Sequence, residues 1–80
     1  MKVLGFVEHT LGNHVIVRIR DPRELPRIKS RVLDEKRRFI GVVSDLIGPV
    51  SKPYAVVLVR DRSLIPPKGS NLFYLGGRRN

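Results

Sequence analysis

Chemistry needs side chains that ionise, ligate or attack, and this chain offers few of them in a usable pattern. His9 and His14 stand on either side of a Gly12-Asn13 turn signal, but a metal set would need a further His or a Cys, and the chain has no Cys. They read as surface turn histidines. The serines include no Gly-x-Ser-x-Gly elbow, and Asp34, Glu35 and Asp45 have no His partner positioned by the sequence. Asp34 and Glu35 read as turn acceptors. The stretch Gly48-Pro49-Val50-Ser51-Lys52-Pro53-Tyr54 follows a strand-like run but leads into another strand rather than a helix, so it is no phosphate loop. The expectation is therefore a chain with no catalytic residue, no metal site and no cofactor.

Binding is the better prospect. Eighty residues carry a formal net charge of +9 with a pI near 11.2, and Arg outnumbers Lys eleven to five. Such a surface attracts polyanions, which inside a cell means RNA or an RNA-containing particle. The alternative is that the charge only keeps a small protein in solution. A sheet that reads single-stranded RNA usually shows exposed aromatics amid basic residues. Of the five aromatics, Phe6 and Phe39 are expected in the core, which leaves Tyr54 and one of Phe73 or Tyr74 as stacking platforms. Depletion of Cys, Gln and Met is compatible with a thermophilic source. The opening MKVLGFVEHT meets charge too early for a signal peptide or spanning helix, so a soluble, intracellular protein is expected.

The elements that must position these side chains centre on residues 39–59, which read strand, rigid loop, strand. Phe39 to Leu46 and Tyr54 to Val59 are rich in β-branched and aromatic residues and lack helical spacing. Apolar side chains fall on both parities of the first run, which places it in a doubly covered sheet or a small barrel. Between the runs, Gly48-Pro49 and Pro53 stiffen the backbone, and Ile47, Val50 and Tyr54 give the loop an apolar character. Such a loop either meets a partner or folds back to cap the barrel's open end. Proline preorganisation lowers the ordering cost of binding.

Further strands are expected at Lys2–Glu8, at Val15–Arg20, where Val15, Val17 and Ile19 alternate with Ile16, Arg18 and Arg20, and at Asn71–Leu75. Ser30–Ile40 admits a helix face or a short strand at Arg31–Leu33 with a turn at Asp34-Glu35-Lys36. The hairpin is preferred, because Lys36 interrupts the helical face and the sequence runs unbroken into Phe39–Val43. An internal repeat supports an all-β reading. Gly5, Val7 and Gly12 recur 36 residues later as Gly41, Val43 and Gly48, and VIVRIRD at 15–21 recurs as AVVLVRD at 55–61, offset by 40. Two similar hairpins and two further strands suit a small six-stranded closed barrel, one domain over residues 1–75, with a disordered basic tail over 76–80.

At the loop the sequence also resembles a known family. Gly41-x-Val43-x-Asp45-x-x-Gly48-Pro49-Val50-x-x-Pro53-Tyr54, with Val32-x-Asp34 before it and Gly69-x-x-Leu72-x-Tyr74 after it, is similar to the core of the GAR subunit of H/ACA ribonucleoproteins, the RNA-guided pseudouridine synthases. The likeness covers Pro26 to Leu75 well and the N-terminal hairpin more loosely. It lacks long Arg-Gly-Gly arms, Gly76-Gly77-Arg78-Arg79 being the only trace, and so looks like the minimal archaeal type, cytoplasmic in such a cell. The resemblance implies a barrel similar to the second domain of elongation-factor GTPases. It implies a non-catalytic subunit that binds the pseudouridine synthase catalytic subunit and promotes substrate RNA loading and product release, with at most weak or indirect contact to the guide RNA particle. Ile47, Gly48, Pro49, Val50, Pro53 and Tyr54 are then the expected partner-binding residues. The alternative is a direct RNA-binding β-barrel of the ribosomal or translation-factor accessory type.

Overall fold

The alternating runs of β-branched residues all become strands. The computed structural model describes residues 1–76. Within them β1 (Lys2–Leu11), β2 (His14–Ile19), β3 (Arg31–Leu33), β4 (Phe39–Ile47), β5 (Tyr54–Val59) and β6 (Asn71–Tyr74) form a closed antiparallel barrel in the order β1-β2-β5-β4-β3-β6. The only helical turn among the described residues is a 3₁₀ turn at Arg62–Leu64, capped by Asp61. Ser30–Ile40 is the hairpin rather than the helix, with the turn extended to Arg38 and β4 opening at Phe39.

Closure places one parity of each strand inside. Val15, Val17 and Ile19 of β2 and Ala55, Val57 and Val59 of β5 are buried, as are Leu4 and Val7 of β1 and Ile40 and Val43 of β4. Each buried Val, Leu or Ile contributes about 1.5–3 kcal/mol on leaving water. The expectation that Phe6 and Phe39 lie in the core is overturned, and of Phe73 and Tyr74 only Phe73 is left as a platform. Phe6 and Phe39 are not core residues but stand on the outside, 39% and 37% exposed, whereas Tyr74 is buried and is no platform. The reason is a pair of register shifts, between Val3 and Gly5 in β1 and opposite Val32 and Leu33 in β4, which turn the neighbouring Leu4 and Ile40 inward. The apolar residues on both parities of β4 thus reflect an apolar outer face, not a second covering layer.

The sequence repeat is a structural one. The unit β1-β2-β3 corresponds to β4-β5-β6, down to irregularities. The shift between Val7 and His9 in β1 recurs between Val43 and Asp45 in β4. Arg20 N–H donates to the Leu4 carbonyl at 3.0 Å and Arg60 N–H to the Ile40 carbonyl at 2.9 Å. Val7 N–H donates to Ser70 and Val43 N–H to Ser30, each at 2.9 Å. A Cβ on Gly5 would stand 1.8 Å from the Arg18 carbonyl oxygen, and one on Gly41 would stand 2.1 Å from that of Leu58. Both glycines are fixed by this close crossing of strands.

Candidate functional site

The loop from Ile47 to Tyr54 is built by its own backbone. Gly48 takes φ +92°, and a Cβ there would press on the Lys52 carbonyl at 3.0 Å and the Tyr54 ring at 3.1 Å. Pro49 accepts a hydrogen bond from Lys52 N–H at 3.0 Å, which closes a tight turn with Val50 at its corner. Val50 is 93% exposed, and Ile47 and Pro49 are also exposed. Pro53 is buried, and its carbonyl accepts from Ile19 N–H at 3.2 Å, anchoring the loop to β2. The predicted set therefore divides. Pro53 and the half-buried Tyr54 fold onto the barrel, while Ile47, Pro49 and Val50 stand away from it.

Register extends the loop into a band. Ile47 lies opposite Tyr54, Tyr54 opposite Arg18, and Arg18 opposite Phe6, all pointing outward. The bulge at Glu8 aims its carboxylate at this band: Tyr54 Oη donates to it at 3.2 Å and Arg18 lies 4.0 Å away. A tyrosine held by hydrogen bond, a half-neutralised arginine and a phenylalanine thus continue the apolar apex across three strands. Sequence reasoning missed Phe6, because the bulge that turns it outward leaves no mark on the apolar pattern.

The acidic residues serve structure. Asp34 is buried; its carboxylate accepts from Lys36 N–H and Arg38 N–H, each at 2.9 Å, and from Arg38 Nε at 2.8 Å. Burial works to raise this carboxyl, and the bonds from Arg38 and Lys36 outweigh it, holding it below the ordinary carboxylate range. Glu35 accepts from Asn71 N–H at 3.0 Å and so ties the β3–β4 turn to β6. An open cleft of about 290 Å³ adjoins this turn and the Leu64–Pro67 segment, but its buried acid is already fully engaged. His9 and His14 are both exposed beside the β1–β2 turn, and no group of three or more His, Cys, Asp and Glu able to hold a metal occurs among the described residues.

A small basic barrel with an exposed apolar apex presents a binding surface, and its charge attracts polyanions such as RNA. The chain matches the Gar1/Naf1 RNA binding region over residues 1–77, and it belongs to that family. It is accordingly an RNA-binding, ribonucleoprotein-associated protein of a non-catalytic accessory family. Comparison with individual curated proteins gives no match.

Proposed function

We propose that this barrel is the non-catalytic accessory subunit of an H/ACA-type pseudouridylation particle, docking on the pseudouridine synthase subunit and promoting substrate RNA loading and product release. The observation that carries the reading is the apex of the β4–β5 loop. An aliphatic side chain 93% exposed at the corner of a hydrogen-bonded, proline-flanked turn is costly to leave in water and cheap to dock. Ile47 beside it and the Tyr54–Arg18–Phe6 band behind it give the apex an apolar centre with a polar margin, the usual anatomy of a protein interface. Membership of the family supports association with RNA or a ribonucleoprotein.

The test is Val50→Asp. An unpaired charge carried into an apolar contact should weaken binding to the synthase subunit at least about a hundredfold, or ~2.8 kcal/mol, and abolish the gain in multiple-turnover rate that the wild-type barrel gives a synthase–guide RNA particle. Leu11→Asp, at the exposed position beside the β1–β2 turn that corresponds to Ile47, should leave both readouts unchanged. Melting of the isolated Val50→Asp barrel should stay within a few degrees, since the side chain touches little in the free protein. Intact affinity together with a large loss of stability would show instead that the loop caps the barrel.

A further inference from the structure

Opposite the apex lies a second outward row that the docking proposal does not use. Phe39 pairs with Leu33, Leu33 with Phe73 and Phe73 with Val3, so a phenylalanine–leucine–phenylalanine–valine strip crosses β4, β3, β6 and β1. At the β4 end of that strip two guanidinium groups lie close to the Phe39 ring, Arg60 Cζ at 4.8 Å from its centroid and Arg31 Cζ at 5.8 Å. Neither arginine has a carboxylate within 4.0 Å among the described residues; the ion pairs there are Lys2–Glu24, Arg18–Glu8, Arg23–Asp21 and Arg38–Asp34. The neighbouring Asp61 is occupied, accepting from Ser63 N–H and Ser63 Oγ at the 3₁₀ turn.

We infer that Arg31, Phe39 and Arg60 form a stacking site for a base of single-stranded RNA, with the two guanidinium groups meeting the adjacent phosphates. Rings and guanidinium planes are the two side-chain surfaces on which unpaired bases stack, and arginine also bonds phosphate oxygens in pairs. The internal repeat supplies a contrast inside the same molecule. The positions that correspond to Arg31, Phe39 and Arg60 across the repeat are Asn71, Val3 and Arg20. Aromatic face and second arginine thus occur together at one of two equivalent places. An acidic peptide would be drawn by the charge alone and has no use for the ring. The inference rests on the RNA-binding assignment of the family and is independent of the docking apex.

The experiment is fluorescence anisotropy of a labelled oligouridine of about ten nucleotides against the full chain, at about 50 and 150 mM salt, with polyglutamate as competitor. Phe39→Ala should weaken binding about tenfold, or ~1.4 kcal/mol, which lies within the range for one stacked base, and leave the salt dependence unchanged because no charge is lost. Phe39→Leu keeps the contact with Leu33 and should bind as weakly as Phe39→Ala, which separates stacking from any loss of fold. Arg60→Ala should reduce the salt slope by about 0.7, the value for one phosphate contact on a single strand. If the wild type binds and both Phe39 variants bind equally well, the site is wrong while RNA binding by the chain stands. If polyglutamate displaces the RNA charge for charge, the patch is an acidic-protein surface and the inference fails. If the wild type does not bind even at the lower salt, RNA binding by the free chain fails, and the site with it.

Discussion

The β1–β2 and β4–β5 connections occupy equivalent places in the barrel and differ in length and in what they expose. Gly12-Asn13 is a minimal turn whose asparagine looks inward, its Nδ2 donating to the Val59 carbonyl at 3.2 Å. The Gly48–Pro53 connection is four residues longer, and only its last member looks inward: the Pro53 carbonyl meets Ile19 N–H as the Asn13 carbonyl meets Val59 N–H. The extra residues are those of the exposed corner. The same division runs along the outer surface. Asn71–Phe6–Arg18–Tyr54–Ile47 on one side corresponds to Arg31–Val42–Leu58–His14–Leu11 on the other. Most inward positions and the close crossings are kept between the halves, and most outward positions are not. Closure therefore constrains a side chain far more than its neighbours on the surface do, and recognition is written where the halves differ.

The sharpest way to break this comparison is at what the halves share. Gly5→Ala and Gly41→Ala should each cost more than about 4 kcal/mol, because backbone rather than a movable side chain stands in the way, against roughly 4–12 kcal/mol for a domain of this size. Circular dichroism melts should show a largely unfolded chain at physiological temperature for both. A drop of only a few degrees for either would mean that the strands can part at that crossing and that the correspondence is not enforced by contact.

Asp34 tests a position where the halves differ. Its counterpart is Tyr74, a buried residue with no formal charge. Asp34→Asn should cost about 1–2 kcal/mol at neutral pH, through the lost charge-assisted bond to Arg38. Since the folded carboxyl lies below its unfolded value, the stabilisation is present above about pH 4 and is lost as the pH falls through the lower, folded value. Urea titrations of wild type and variant should therefore converge as the pH is lowered below about 4. A gap that persists unchanged in acid would assign the effect to shape rather than charge.

The smallest effect concerns Lys29, which takes φ +75° where its counterpart Gly69 takes +90°, each N–H donating to a carbonyl of the adjacent strand, Val43 or Val7. Lys29→Gly should stabilise by about 0.5 kcal/mol, the relief of left-handed strain exceeding glycine's entropic cost, and shift the melting midpoint upward by about 2–4 °C. A decrease would show that the lysine stem packs on the barrel well enough to offset its backbone.

Much of the architecture was legible because closure leaves a simple mark. Val15, Val17 and Ile19 alternate with outward residues, the repeat named its own partner strands, and Lys36 spoiled the one helical alternative. Phe6 and Phe39 were misread for a physical reason: an apolar outer face and an apolar core give the same letters, and the bulges at Leu4 and Ile40 reverse parity without a distinctive residue type. The loop was legible as stiff and apolar from Pro49 and Pro53, but which of its side chains face outward was not. That depends on the Pro49–Lys52 hydrogen bond and on Tyr54 packing over Gly48. Asp34 read correctly as a turn acceptor; its burial and its bond to Arg38 followed only from the turn's geometry. The disordered basic tail expected over 76–80 lies, beyond Gly76, outside the described residues.

The pairing of Lys2 with Tyr74 sets the start of β1 beside the end of β6, where in the other half the Asp34–Arg38 turn joins β3 to β4. The ring thus has two like seams, one open and one stitched. A circularly permuted chain, joined across the first seam and opened at the second, would run through the same strands in the same neighbour order with its halves exchanged. Where the polypeptide begins is a matter of covalent bookkeeping; the barrel itself has no first strand.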